Sequence, residues 1–356
     1  MRIHSSIPVA VFTVLAGVYT MLGQQHPTQA ETGYAVKKPV IAASGKFAPW
    51  GSIAEIFKKA MQPYGWDVQV CSNCAGGPEE ARFVFNKKMP PQLADPKNPP
   101  PGVSPPPNGP IDFGVTTPNF LWWAYQGSHH FVNDGAQKNL RLIGLIQNPM
   151  YLFVAVKAES GITDLSQIKE RRQPVRIVWD EGERALNHCG TEILEYFGLS
   201  QESIKAGGGF TGSPREERKN FDIIIMVGGV SNVPEFNMVL EASQKYDLKF
   251  LQLPNDLLDK LAKDFDMERR EIPINLLRGV TTPIPTVAYN GNVIYGRTDM
   301  PDAFAYTATK ALDEHRDLFL WALEAYSYDP KTVWKAYGVP LHPGAARYYR
   351  EKGYMK

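Results

Sequence analysis

One pattern recurs along this chain: a short apolar run, a polar loop carrying glycine, then apolar residues at helical spacing. Its first instance, Val40 to Phe57, reads VIAASGKFAPWGSIAEIF. Val40-Ile41-Ala42-Ala43 fits a buried strand. Gly45 allows unusual dihedrals, and Pro49 cannot continue a strand. Ile53, Ile56, Phe57 and Ala60 then fall on one helix face. The arrangement sets free helix N–H groups beside the loop, which suits an anionic or strongly polar ligand, although an ordinary strand–helix turn has the same letters. Later instances begin at Val175-Arg176-Ile177-Val178-Trp179 and at Phe221-Asp222-Ile223-Ile224-Ile225-Met226-Val227, the latter opening into Gly228-Gly229. Alternation of this kind predicts α/β architecture with parallel strands.

At 356 residues the chain is long enough for two packed domains. Gln147-Asn148-Pro149-Met150 is a first crossing between them, and Pro283-Ile284-Pro285-Thr286-Val287-Ala288 is the expected return. The expected layout is domain I over 31–148 and 281–356, and domain II over 149–280, with a ligand cleft between. A formal net charge of +1 gives no global field for nucleic acid or an anionic membrane surface. Residues 1–30 read as a secretory signal peptide: Arg2 and His4, an apolar Ile7–Leu22, a polar break, and Ala30 as a small residue at the cleavage point. The mature chain is then a soluble periplasmic protein in an oxidising compartment. Met89 to Pro110 holds ten prolines and little apolar content, and reads as an extended surface insertion (89–110).

Few motifs carry chemistry. Cys71-Ser72-Asn73-Cys74 stands at a helix start, where Pro78-Glu79-Glu80 follows. It allows a short disulfide, two inert thiols, or a redox pair. A tetrahedral metal site would need two further ligands, and Cys189 reads as core, so no metal is expected. Gly207 to Gly212 spells GxGxxG outside the strand-to-helix context of a dinucleotide site and reads as a loop. No P-loop, GxSxG or HExxH is present, and neither cofactor nor enzymatic activity is expected. Asp180, Glu181 and Glu183 read as a solvated acidic loop; Arg184 is either a carboxylate clamp or a surface arginine.

The order of segments resembles the TAXI family of solute-binding proteins, extracytoplasmic components of TRAP (tripartite ATP-independent periplasmic) transporters. The likeness is carried by Asp112-Phe113-Gly114-Val115 with Ala124-Tyr125-Gln126-Gly127, by Asn139-Leu140-Arg141, and by Ser160-Gly161-Ile162 with Asp164-Leu165. It is carried further by Phe221-Asp222 through Gly228-Gly229, and most specifically by Pro340-Leu341-His342-Pro343-Gly344-Ala345-Ala346-Arg347-Tyr348-Tyr349-Arg350-Glu351. It implies a type II-like periplasmic binding protein fold that closes on a small carboxylate or amino-acid-like solute and delivers it, as a monomer, to membrane subunits. The first loop lacks the family's tyrosines and carries Lys46, and Glu183-Arg184-Ala185-Leu186 stands where the family has Gly-Ser-Gly-Thr, so a different organic anion is expected. The ligand-binding set expected on this basis comprises Ser44, Lys46, Phe47 and Trp50 from the first loop and helix. Ser72, Thr116, Thr117 and Asn119 complete domain I; Trp179, Arg184, Gly228, Gly229 and Asn232 come from domain II. Lys46 and Arg184 neutralise the anion from opposite walls. Two other readings of the chain are a periplasmic sensor for a membrane histidine kinase and a thiol oxidoreductase using Cys71 and Cys74.

Overall fold

The computed structural model describes residues 38–43, 49–72, 74, 78–87, 111–170, 174–179, 189–213, 220–229, 238–322, 327–335 and 338–356. The expected signal peptide, the proline-rich insertion, Ser44, Lys46, Phe47, Arg184 and Asn232 lie outside the described residues. No described helix is long and apolar enough to cross a membrane.

The first unit starts with β1 (Val40–Ala42), α1 (Pro49–Met61), β2 (Gln69–Cys71), α2 (Pro78–Asn86), β3 (Phe113–Thr116), α3 (Pro118–Gln126) and β4 (Leu140–Ile146). The second holds β5 (Met150–Lys157), α4 (Gln167–Glu170), β6 (Arg176–Trp179), α5 (Cys189–Tyr196), α6 (Gln201–Ala206), β7 (Phe210–Gly212) and β8 (Ile223–Gly228). It continues through α7 (Met238–Lys245), β9 (Leu248–Phe250), α8 (Asn255–Asp264), β10 (Glu268–Ile272) and β11 (Ile284–Tyr289). The chain then returns through β12 (Asn292–Arg297), α9 (Asp302–Glu314), α10 (Phe319–Ala322) and α11 (Pro343–Glu351).

These strands form two sheets, one of order β2-β1-β3-β12-β4, the other β10-β11-β5-β8-β6-β7 with β9 also on β5. Two α/β units result, as the alternation of strands and helices predicts. The first sheet is covered on both faces. Ile41, Phe113, Val115, Ile143 and Ile294 pack with α1, α9 and α11, through Phe57, Phe304 and Tyr349 among others. Ala42, Leu142 and Tyr295 face Trp123 and Ala124 of α3 and the Cys71–Cys74 corner. Burial on both faces accounts for the mostly apolar strands.

Two details depart from the sequence reading. Ile284–Tyr289 stays in the second sheet, antiparallel to β10 and to β5. The return crossing therefore falls at Asn290 and Gly291, not before Pro283. An apolar run announces a buried strand but not the sheet it joins. Phe210–Gly212, read as loop, pairs in parallel with β6 as an edge strand.

The two crossings touch. Gly291 has φ +129°, and a Cβ there would lie 2.2 Å from the carbonyl oxygen of Ile146 and 2.7 Å from the amide nitrogen of Asn148. Only glycine fits, both for its backbone angle and for its missing side chain.

Candidate functional site

In each sheet the connections reverse direction once. β1 has β2 in parallel on one side and β3 on the other; β6 likewise lies between β7 and β8. Loops leaving the carboxyl ends of such a strand pair diverge and open a crevice, the usual place for a ligand in parallel α/β sheets. The chain leaves the first switch point beyond Ala43 and at Thr116-Thr117, and the second beyond Trp179 and Gly229.

The first switch point is lined with polar groups that have no hydrogen-bond partner among the described residues. β3 runs into Thr117, whose extended backbone (φ −81°, ψ 155°) and Pro118 start α3 without a side-chain cap. Thr116 and Thr117 are fully buried and Asn119 nearly so. Their hydroxyls, and both ends of the Asn119 amide, have no hydrogen-bond partner. A buried donor or acceptor left unmatched costs about 1–3 kcal/mol, so three such side chains in four positions are expensive unless something else binds them.

Neighbouring elements add to the group. Val293 is paired with Thr116, which sets Asn292 next to Thr117. The Asn292 oxygen accepts a 2.7 Å hydrogen bond from Trp50 Nε1, in the first turn of α1, while its Nδ2 has no partner. Asn148, buried in the first crossing, also has an unpartnered Nδ2. Its Oδ1 lies 3.2 Å from the position a Cβ on Gly229 would take, so Gly229 gives the crossing room against the end of β8.

β1 stops pairing with β3 at Ala42 and Gly114. The Val115 amide beyond that point donates instead to Oε1 of Glu80 on α2. Glu80 is wholly buried, its Oε2 has no partner, and burial holds its carboxyl well above the usual carboxylate range, against a smaller opposing pull from the Val115 amide. Burial thus favours the protonated carboxyl over the carboxylate. Beside it the Tyr295 hydroxyl is also unpartnered. Gly114 makes room for that ring, since a Cβ would sit 2.4 Å from Tyr295 Cζ.

At the second switch point Trp179 ends β6, buried, with its Nε1 unpartnered. Its ring lies on Gly190 of α5, where a Cβ would come within 2.3 Å of Trp179 Cδ1. Gly228 closes β8 opposite Tyr151. Of the described members of the expected set, all but Ser72 lie at these two strand-end groups. Trp50, Thr116, Thr117 and Asn119 share the first. Trp179, Gly228 and Gly229 belong to the second, and Ser72 is buried at the end of β2, two strands from β3. Glu80, Asn148, Asn292 and Tyr295 were absent from the expected set. Glu80 follows Glu79, Asn148 follows Gln147 and Asn292 follows Asn290-Gly291, so none stands out from its polar neighbours, and only Asn148, between two strongly apolar strands, carried a hint.

The units also meet away from the crossings. Trp123 Nε1 of α3 donates a 2.6 Å hydrogen bond to Asp266 Oδ2, and its ring stacks on His129 at 4.1 Å. His129 Nε2 is 3.0 Å from the carbonyl oxygen of Asp264. The exposed His129 thus takes part in an inter-unit contact. Cys71 and Cys74 are joined in a disulfide, with Cα atoms 5.3 Å apart. Both are buried at 2% exposure or less, which hides the bond from an attacking thiolate and disfavours the oxidoreductase reading. Cys189, as expected, is core, with burial raising its thiol above the usual range.

Among solved structures, the chain resembles the periplasmic aliphatic sulphonate binding protein SsuA of Escherichia coli at 12% identity and TM-score 0.39, covering 89% of this chain and 79% of that one. It resembles the glycine betaine/L-proline-binding protein ProX of Borrelia burgdorferi at 13% identity and TM-score 0.41, covering 80% of this chain and 92% of that one. The periplasmic thiamin binding protein matches at 10% identity and TM-score 0.39, covering 90% and 95%. The model of the NMT1-like family matches residues 107–353, well over half of the chain. This span takes in β3, the buried threonines, both crossings and the whole second unit, and the chain belongs to the NMT1-like family.

Proposed function

We propose that this protein is an extracytoplasmic solute-binding protein of a TRAP-type (TAXI) secondary transporter. It captures a small organic anion, a carboxylate or amino-acid-like solute, in the cleft between its two sheets and passes it to membrane permease subunits. The observation that carries the reading is the group of buried, unpartnered polar atoms on Thr116, Thr117, Asn119, Asn148, Asn292 and Trp179. The first five lie at the strand ends and crossing of the first switch point, and Trp179 ends β6 in the second unit. A bound solute with several oxygen atoms supplies the missing partners.

On this reading Thr116, Thr117, Asn119 and Asn292 hydrogen-bond the solute from the first unit, and Trp50 and Trp179 wall it. Lys46 and Arg184 supply the opposing positive charges from their loops. The two crossings act as hinges, so contacts to both units favour the closed state. The TRAP assignment rests on the resemblance of the Pro340–Glu351 segment and the others quoted above.

The test has two parts. Calorimetric titration of the mature chain with a panel of carboxylates and amino acids should give one saturable site. Uptake in proteoliposomes with the membrane subunits encoded beside its gene should then follow an ion gradient and need no ATP. ATP-dependent uptake overturns the TRAP assignment, and a neighbouring histidine kinase with no permease favours the sensor reading.

A further inference from the structure

A second cavity, of about 610 Å3, lies on the crossings themselves, lined by Gln147, Asn290, Glu268, Arg270, Trp334 and Lys335 with Thr332. Gln147 belongs to the first crossing and Asn290 to the second. Glu268 and Arg270 come from β10 of the second unit. Thr332, Trp334 and Lys335 come from the segment that packs on β4, where Leu145 donates its amide proton to the Val333 carbonyl oxygen. Its walls therefore come from both units and from both connections between them.

The wall chemistry favours an anion. Arg270 is held in place by its Nε and Nη2: Nη2 donates to Glu268 Oε2 at 2.8 Å and to Asn290 Oδ1 at 2.7 Å, and Nε donates to the same carboxylate at 3.2 Å. Its Nη1 has no acceptor among the described residues. Lys335 is exposed and makes no ion pair among the described residues. Two cations against the single carboxylate of Glu268 leave the wall positive. The half-buried Trp334 adds an apolar surface, and the Gln147 side chain is fixed by hydrogen bonds to Thr332 and, at 3.5 Å, Asp329. A guanidinium oriented by a carboxylate and an amide, with one edge unused, suits a carboxylate ligand.

The geometry points to a second ligand site here, for a small organic carboxylate with an apolar body, held between Arg270 of the second unit and Lys335 of the first. The carboxylate bridges the two cations and the apolar body lies on Trp334. Such a ligand ties the units together at the hinge and biases the same opening and closing that the cleft uses. That coupling rests on the cleft reading, whereas the anion site itself does not.

The experiment is a nitrogen–proton NMR titration of the mature chain with benzoate and, separately, with inorganic phosphate, following the tryptophan indole resonances. Loss of one resonance in Trp334→Phe assigns Trp334. A saturable shift of the Trp334 resonance with benzoate is expected, unchanged in Thr117→Val and weakened at least ten-fold in Lys335→Gln and in Arg270→Gln. Lys335 is exposed, so its substitution leaves the fold intact and keeps the test decisive. Shifts confined to the Trp50 and Trp179 resonances, saturation by phosphate but not benzoate, or an affinity unmoved by Lys335→Gln would each overturn the proposal. Failure of the cleft reading shows separately, as loss of solute binding that leaves the Trp334 titration untouched.

Discussion

At the scale of single residues, the candidate site consists of groups that cost stability while they wait for a ligand. Thr117→Val removes a buried hydroxyl that has no partner and keeps its shape. It should therefore leave the melting temperature of the ligand-free protein unchanged or raise it, while weakening solute binding about ten-fold, on the order of 1.4 kcal/mol. Asn292→Ala differs, because it also strips the Trp50 indole of its acceptor. Its expected cost is about 1–3 kcal/mol of stability together with the loss of affinity, read by chemical denaturation and calorimetry. Glu80 gives a pH signature. Its folded carboxyl lies well above the unfolded value, chiefly through burial. The folded state thus holds a proton that the unfolded chain releases as pH rises through the ordinary carboxylate range, so Glu80 costs stability increasingly above about pH 4.5. Glu80→Gln keeps an acceptor for the Val115 amide and removes that cost. Its melting temperature should match the wild type below about pH 4.5 and exceed it by a growing margin as pH rises above that. A variant less stable than wild type at pH 7 would mean that Glu80 is ionised and paired. None of these roles was legible from a motif, because a Thr, Asn or Glu looks the same in the sequence whether it is satisfied or waiting.

At the scale of elements, legibility followed burial. β8 is apolar along its whole length and β5 as far as Val156, and both stand out in the sequence, as does α1 with its helical spacing. β10 reads Glu268-Arg269-Arg270-Glu271-Ile272 and gives no such signal, because as the sheet's edge strand it is largely open to solvent and pairs only with β11. Once β10 is missed, the β10–β11 hairpin is missed as well, and β11 is assigned to the wrong unit. The family-like C-terminal segment acts structurally. His342 is buried at the start of α11, its Nε2 donating to the Met300 carbonyl oxygen at 3.0 Å and its Nδ1 accepting from the Gly344 amide at 3.3 Å. That pair of bonds needs the neutral ring, and burial lowers its affinity for a proton, against the nearby Asp302. The folded pKa lies below the unfolded one, so this contribution is complete above about pH 6.5 and is lost as pH falls below it. His342→Gln should lower stability at pH 8 by about 1–2 kcal/mol and flatten the pH dependence between 6.5 and 5. A pH dependence identical to wild type would show that His342 does not titrate with folding.

At the scale of the whole molecule, the chain passes between its sheets twice and nowhere else among the described residues. Both passages meet at Gly291, and the Trp123–Asp266 hydrogen bond joins the units away from them. The alternating sequence foretold two α/β units. It could not foretell how the second crossing lies against the first, since contact between distant segments leaves no local pattern. Trp123→Phe removes the hydrogen bond to Asp266 and keeps most of the packing. It should favour the open state, seen as a larger radius of gyration in small-angle scattering without ligand, and weaken solute binding about three- to ten-fold, because a smaller closed fraction lowers apparent affinity in proportion. The central claim is that the unpartnered polar groups at the two switch points are a solute site. Calorimetric titration of the mature chain and of Thr117→Val, with the carboxylate or amino acid that most raises its melting temperature, tests this most directly. The account predicts one saturable site in the wild type and about ten-fold weaker binding in a variant at least as stable. Equal affinity in the two proteins would contradict it.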